Sequence, residues 1–480
     1  MKRLVAACSA LVLVNVASGK DLMGVYQDAL RFDTQIREAE ATYKAAREAS
    51  PEAWAALLPQ LTGSYALTRQ KQGEEEVFPY PGPNGVVVPF SEDSTSFINT
   101  HGYQLQLQET IFSWANLATL AEARKQVAEA EATYRAAEEN LVQRVATAYF
   151  NVLNAKDTLD ANAASLDALS RQLEQANKRF QVGLIAVTDV QEAQAARDSA
   201  AAAVIAAKRT LASMEQQLRE ITEQDYPSLA KPGDSMPLKD PEPADPKAWI
   251  SVSMDQNLSL VASRLAADVA REQVGVAFGG HLPTLAITGT RSDETENTDE
   301  AYNFGGAPGR LRYPFELGDS EIGIQINVPI FSGGLVQSQV HQAEYQWIAA
   351  KDHVQTVSRE TEFQARDAYN GVVSEVAQVE ALRQGVQSAE VALTATEAGY
   401  QVGTRTEVDV LQERQNLVQA ETNYAQARYT YLLDMVQLQL AAGTLDQRTI
   451  EQINGWLTVE QRMSTSPVTE PAPPTVVPQP

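Results

Sequence analysis

Cysteine is nearly missing from this sequence: Cys8 is the only one among 480 residues. A chain so poor in thiols offers no disulfide framework, no cysteine nucleophile and no thiolate metal cluster. Histidine is scarce too, and His101, His281, His341 and His353 are too scattered to suggest a metal site or a general base. No phosphate-cradling glycine loop and no metal-ligand spacing appears. No enzymatic activity, cofactor or metal is therefore expected. Basic residues are outnumbered, 38 against 62 acidic ones, and the resulting net charge of −24 argues against a nucleic-acid partner. Long apolar runs are missing as well. Beyond the first residues nothing approaches the roughly 18 consecutive apolar residues of a membrane-spanning helix, so a chain that crossed a membrane would have to use strands.

The first residues are a separate case. Lys2 and Arg3 precede an apolar run from Leu4 to Val16, followed by the small residues Ala17, Ser18 and Gly19. That order is the signature of a cleaved signal peptide at 1–19, with Lys20 as the mature start. Val5-Ala6-Ala7-Cys8 has the outline of a lipoprotein site, but only Leu4 to Ala7 precede it as an apolar stretch and the run continues beyond it. Loss of the segment takes the formal charge to −26 and leaves a mature chain without cysteine, which suits an exported protein that uses no disulfides.

What the sequence has in abundance is helical texture, and it has it twice. Leu57-Leu58-Pro59-Gln60-Leu61 returns as His281-Leu282-Pro283-Thr284-Leu285, Glu109-Thr110-Ile111-Phe112 as Val328-Pro329-Ile330-Phe331, and Thr147-Ala148-Tyr149 as Asp367-Ala368-Tyr369. The offsets of 224, 219 and 220 keep the order of the markers, which is the mark of an internal duplication. Each half begins with an amphipathic tract (Asp21 to Leu57; Trp249 to Gly279) and continues into two strand-like segments around a polar loop. A very long helical tract follows (Ser113 to Gln181; Gly333 to Gln401), then a break, then a return tract (Val187 to Ile221; Glu407 to Ala442). At about 1.5 Å per residue each long tract spans on the order of 100 Å. Tyr226 to Pro246 is rich in Pro and Asp and reads as a linker. The expected organisation is a signal peptide at 1–19, a first repeat at 20–225, a linker at 226–247, a second repeat at 248–445, and a polar, Pro-rich, partly disordered tail at 446–480.

The strand candidates alternate. Tyr103, Leu105 and Leu107 share one face and Gln104, Gln106 and Gln108 the other; Ile322, Ile324, Ile326 and Val328 alternate with Gly323, Gln325 and Asn327. Their partners, Leu61 to Gln70 and Thr284 to Arg291, alternate more weakly. Lipid outside and a wet lumen inside would produce this pattern, and so would an ordinary antiparallel sheet packed on a core. Four strands cannot close a barrel and open edges are not tolerated in lipid, so the membrane reading requires several chains to share one barrel. A dimer and a trimer remain open at this point. Lys71 to Thr95 and Ser292 to Gly318, acidic and rich in Gly and Pro, read as long exposed loops.

The break between long and return tracts is itself repeated, as RFQVGLIAVTDVQ at 179–191 and GYQVGTRTEVDVL at 399–411. Together with KDLMGVYQDAL, LLPQL, TAYFNVLNA, HLPTL and a C-terminal AAGTL, these motifs resemble the TolC family of outer-membrane efflux proteins, and its unlipidated members more than its lipidated ones. The resemblance runs across almost the whole mature chain. It implies an α+β membrane protein: a homotrimer whose twelve strands, four per chain, form an outer-membrane β-barrel continuous with a long periplasmic α-helical barrel. It also implies an exit duct for tripartite efflux pumps and type I secretion systems, working with a periplasmic adaptor (membrane fusion protein) and an inner-membrane transporter. A soluble periplasmic coiled-coil scaffold or adaptor is the alternative, and it leaves the symmetrically placed strands unexplained.

Gly183 and Gly403 mark where each long helix turns back, since glycine tolerates the left-handed backbone of such a turn. Thr188 and Asp189, or Thr406, can cap the returning helices. The resemblance adds a second role: Tyr400 and Arg405 on one turn, and Thr188 and Asp189 on the other, match a latch that closes the periplasmic entrance. It further matches Asp409 to an aspartate ring that projects into the pore. The family's second ring position is Gln412 here; Glu413, four residues after Asp409, either substitutes for it or is an exposed helical glutamate. Val182, Gly183, Leu184, Val402 and Gly403 would receive the adaptor, or, for the three apolar side chains, would pack between helices.

Overall fold

A computed structural model describes residues 19–82, 85–233, 236–304 and 306–458. Residues 1–18, with Cys8 and almost all of the expected signal peptide, and the tail from 459 lie outside the described residues. In the first half, α1 (Leu22–Phe32), α2 (Thr34–Arg47) and α3 (Ala49–Ala55) lead to β1 (Gln60–Pro81) and β2 (Val87–Phe112), then α4 (Trp114–Gln181) and α5 (Val187–Thr222). After the short β3 (Lys231–Pro232), α6 (Pro246–Gln256) and α7 (Leu258–Gly279) lead to β4 (Thr284–Phe304) and β5 (Ala307–Asn327), then α8 (Leu335–Gln401) and α9 (Glu407–Ala442). The small α10 (Gln447–Asn454) and β6 (Leu457–Thr458) follow.

The leading tracts are not continuous helices. The first breaks at Asp33, whose carboxylate accepts from the Ile36 N–H at 2.8 Å and from Arg144 at 2.9 and 3.0 Å. The second breaks at Asn257, whose Oδ1 accepts from the Leu260 N–H at 3.0 Å while its Nδ2 donates to the Ala441 carbonyl at 3.1 Å. Both residues are buried, and each side chain caps the helix that restarts after it. They are related by the same offset of 224 as the Leu-Pro markers, so the duplication preserved the break.

The chain divides into two compact units. One comprises Met1–Thr42, Glu131–Ala262 and Gln355–Pro480. Its core gathers Tyr149, Phe150, Leu141, Tyr431 and Leu432 from the long and return helices around Leu22 of α1. The Tyr149 hydroxyl donates to the Ala230 carbonyl at 2.7 Å, and Tyr431 both donates to and accepts from the Lys239 backbone. β3 pairs with β6, and Arg428 donates to the Pro232 and Gly233 carbonyls. The Pro-rich linker and the start of the expected tail are therefore folded onto this core. Proline removes donors, but here side chains reach the carbonyls that proline leaves intact.

The second unit, Tyr43–Ala130 and Ser263–Val354, holds one four-stranded antiparallel sheet in the order β1-β2-β4-β5. The two expected loops are mostly strand. Pairing runs unbroken from Gln60 with Gln108 to Pro81 with Val87, and from Thr284 with Asn327 to Phe304 with Ala307. Acidic and Gly/Pro-rich composition signals loops, but a hairpin already in register satisfies its backbone groups by continuing the ladder, whatever its side chains. Strands of 21 to 26 residues run about 70 Å or more at ~3.3 Å per residue, over twice the ~30 Å of a bilayer core. Leu61, Leu107, Gly289 and Ile322 form one cross-strand row, with Thr62, Gln106, Thr290 and Glu321 in the next row on the opposite face. Ile322 is 87% exposed and Ile324 72%, so in a single chain this apolar face has no cover.

Candidate gate at two helical turns

The turn from α4 to α5 and the turn from α8 to α9 use one backbone solution. Gly183 and Gly403 have φ of 77° and 80°, and each is followed by a residue whose N–H reaches back into the finished helix: Leu184 to the Arg179 carbonyl and Thr404 to the Gly399 carbonyl, both at 2.9 Å. These bonds, with Gly183 to Phe180 at 2.9 Å and Gly403 to Tyr400 at 3.2 Å, close a Schellman-type end. Val182, Leu184 and Val402 are 69, 71 and 76% exposed, so within one chain they do not pack between helices.

The helix starts that follow are not equivalent. Thr406 is the N-cap of α9: its hydroxyl accepts from the Asp409 N–H at 3.2 Å and the Asp409 carboxylate accepts from the Thr406 N–H at 2.9 Å. The Thr406 backbone bond, then its hydroxyl, then the nearby Arg405 charge hold the Asp409 carboxyl below its usual range. At the other turn the N-cap is Ala186, with no side-chain cap. Thr188 and Asp189 fall inside the first turn of α5, so the capping expected of them does not occur. Asp189 lies in the favourable field of the helix N-terminus instead, with the Thr188 hydroxyl 3.4 Å from its Oδ1.

Within one chain, no ion pair or hydrogen bond among the described residues joins Tyr400 and Arg405 of one turn to Thr188 and Asp189 of the other. Among the described residues Arg405 forms no ion pair with Asp189; its side chain lies against Gly399, where an added methyl would come within 2.8 Å of Arg405 Cγ. Tyr400 is held by other groups. The Arg179 guanidinium sits 5.2 Å from its ring centroid, and its hydroxyl interacts with Glu407; burial, then this carboxylate, raises the Tyr400 pKa. Glu407 is only 4% exposed and also accepts from Gln172 Nε2 of α4. Nearby, Arg414 of α9 pairs with Glu397 of α8 at 2.5 Å. Gln412 donates to Asn416 at 3.1 Å, and Asn416 donates to Glu413 at 3.2 Å.

Gln172, Arg179, Glu397, Glu407 and Arg414 escaped the sequence reading. For Glu407 a signal existed: it stands three and four residues before Val410 and Leu411, both buried, and so falls on the apolar face of α9.

The chain is similar to known proteins along nearly all of its length. The outer membrane efflux protein family matches residues 25–223 and 249–444. Outer membrane protein TolC of Escherichia coli (strain K12) is 35% identical over 474 residues, covering 97% of this chain and 91% of the relative. The alkaline protease secretion protein AprF of Pseudomonas aeruginosa is 27% identical over 450 residues, covering 92% and 88%. Among solved structures, the Campylobacter jejuni CmeC outer membrane channel shares the fold with a TM-score of 0.69 at 20% identity, covering 91% of this chain and 89% of that one. With both of its halves matched and this identity sustained across nearly its whole length, the chain belongs to the outer membrane efflux protein family and is an outer-membrane channel protein.

Proposed function

We propose that three copies of this chain form one duct through which a periplasmic adaptor and an inner-membrane transporter export their cargo. The observation that carries this reading is the four-stranded sheet, whose apolar face is exposed and whose outer strands β1 and β5 each leave an unpaired edge. Lipid tolerates neither open edges nor uncovered backbone groups, so the sheet must be completed by other copies, and three supply twelve strands. The helices then form the periplasmic barrel, and the two turns line its entrance. Drugs and secreted proteins are the proposed cargo classes; relatives named for protease secretion, AprF and PrtF, support the second, and a relative named for efflux, BepC, supports export by this route.

At the entrance, Arg405 and Tyr400 of one coiled coil latch onto Thr188 and Asp189 of a neighbouring chain. An exposed pair of this kind is worth about 1 kcal/mol or less, weak enough for partner contact to open. Three copies of Asp409 make a carboxylate ring that favours cations, with Glu413 alongside. The exposed Val182, Leu184 and Val402, with the flanking Gly183 and Gly403, receive the adaptor.

Planar-bilayer recording tests this. Detergent-purified trimers should conduct, and Arg405→Ser should raise single-channel conductance. A soluble monomer without channel activity would favour the scaffold, and a conductance unchanged by Arg405→Ser would remove the latch.

A further inference from the structure

Next to β6, where the described chain stops, the helical unit carries a cavity of about 250 Å³. A water needs only about 15 Å³ of such space, so there is room for part of a larger guest. The apolar wall is made by Trp249 of α6, by Tyr431, Met435 and Leu438 of α9, and by Trp456, the residue before β6. The Trp456 carbonyl accepts from the Gly233 N–H at 3.1 Å, and Leu457 pairs with Pro232. This end of the chain is therefore anchored at the cavity itself.

The polar atoms of the aromatic wall are already used. Trp249 Nε1 donates to the Pro243 carbonyl at 2.9 Å, and the Tyr431 hydroxyl exchanges bonds with the Lys239 backbone. Ring surface and aliphatic side chain are left to a guest, with donors on Lys239, Gln439 and Gln452 among the lining. Such a wall suits a guest with apolar rings, carbonyls to offer and few N–H groups. That is the chemistry of proline-rich segments, which favour an extended conformation without internal hydrogen bonds and dock into aromatic-lined grooves.

A segment of that kind follows in the same chain. Six of residues 464–480 are proline: Pro467, Pro471, Pro473, Pro474, Pro478 and Pro480. Glu470 is the one charged side chain among them, so docking would desolvate little charge. Pro467 stands nine residues after Thr458, a stretch that spans up to about 30 Å when extended. That is ample to return to a cavity that Trp456 lines.

We propose that the cavity is a docking groove for a proline-rich segment, and that its occupant is the segment 464–480 of the same chain, folded back over Trp456 against Trp249 and Tyr431. The tail then straps the facing wall of the cavity, Lys239 to Glu242 of the linker, to α9. A tethered guest needs little intrinsic affinity, because the tether holds it at an effective concentration of order millimolar. The proposal is independent of the reading of the helical turns as a gate.

The test is binding of a fluorescently labelled peptide of residues 464–480 to detergent-purified protein, either full-length or stopped after Thr458. The truncated protein should bind the peptide saturably, and the full-length protein about tenfold more weakly or less, because its own tail competes. Trp456→Ala in the truncated protein should abolish binding, and so should alanine at the six prolines of the peptide. If the truncated chain does not fold, a full-length chain with those six prolines replaced by alanine takes its place and should bind as the truncated one would. No saturable binding to either folded variant overturns the groove, and equal binding to the full-length protein overturns the tail as its occupant. A mature chain that starts at Lys20 has no cysteine, so Gln452→Cys with Thr469→Cys reports whose tail is docked. Mild oxidation should give a disulfide within one chain; a disulfide-linked dimer would assign the groove to the tail of a second copy and overturn the proposal as stated.

Discussion

Asp409 is fixed to the first turn of α9 by its exchange of hydrogen bonds with Thr406, and the same carboxylate is the one proposed to face the pore. One substitution separates the two roles. Asparagine retains an oxygen that can accept from the Thr406 N–H, so Asp409→Asn should leave the helix start and the trimer intact while removing the charge. Channels carrying Asp409→Asn should then lose most of the block that divalent cations impose in planar bilayers, and block at wild-type concentrations would show that the ring lies elsewhere. Thr406 was legible in sequence as an N-cap because capping is local; its exchange of bonds with Asp409, three residues on, emerged only in the structure. Glu407 carried only a partial signal, its spacing to Val410 and Leu411; a glutamate opening a helix ordinarily faces water, and its partner Gln172 lies 235 residues away in sequence.

At the scale of elements, the long helices were legible almost to the residue, since period 3.6 over about 67 residues and a Gly-marked end leave little choice. The breaks inside the leading tracts were not legible, because what makes them is remote. Asp33 can leave the helix and cap the next one only because Arg144, in the middle of α4, neutralises it. Burial works against the Asp33 charge, but the Arg144 hydrogen bonds and the N–H of Ile36 outweigh it and hold the carboxyl below its usual 3.8. A carboxylate with a lowered native pKa contributes stability above its unfolded value and loses it as pH falls through the lowered one. Arg144→Ala should therefore destabilise the helical unit by about 3 kcal/mol at neutral pH, because it leaves a buried carboxylate unpaired. The deficit relative to wild type, read by thermal unfolding, should shrink below about pH 3.8, where Asp33 is protonated in the variant and the unfolded chain alike. A deficit constant with pH would assign the loss to packing.

Across the whole molecule, duplication is the feature that sequence states most plainly, because equivalent residues recur at nearly constant offsets from Asp33 and Asn257 to Gly183 and Gly403. The extent of the sheet was hidden for a physical reason. Alternation of apolar and polar residues identifies a strand only where one face is dry, and beyond Leu67 and Ile322 the paired strands carry Arg69, Lys71, Asp299, Arg310 and Arg312 on that same face. The apolar band is thus short while the ladder is long, and in the proposed barrel only the band would lie in lipid. The band also decides between the duct and a soluble scaffold. Ile324, paired with Ile287 on the exposed apolar face, and Gln325, paired with Ala286 on the opposite one, are adjacent in sequence but separated by the sheet. In a lipid-embedded barrel, arginine facing the bilayer costs about 2–4 kcal/mol near the midplane, whereas a lumen position tolerates it. Ile324→Arg should therefore reduce the yield of heat-modifiable trimer in outer membranes, while Gln325→Arg should assemble normally and shift ion selectivity toward anions. Equal tolerance of both, with the protein recovered in the soluble fraction, would mean that this face never meets lipid.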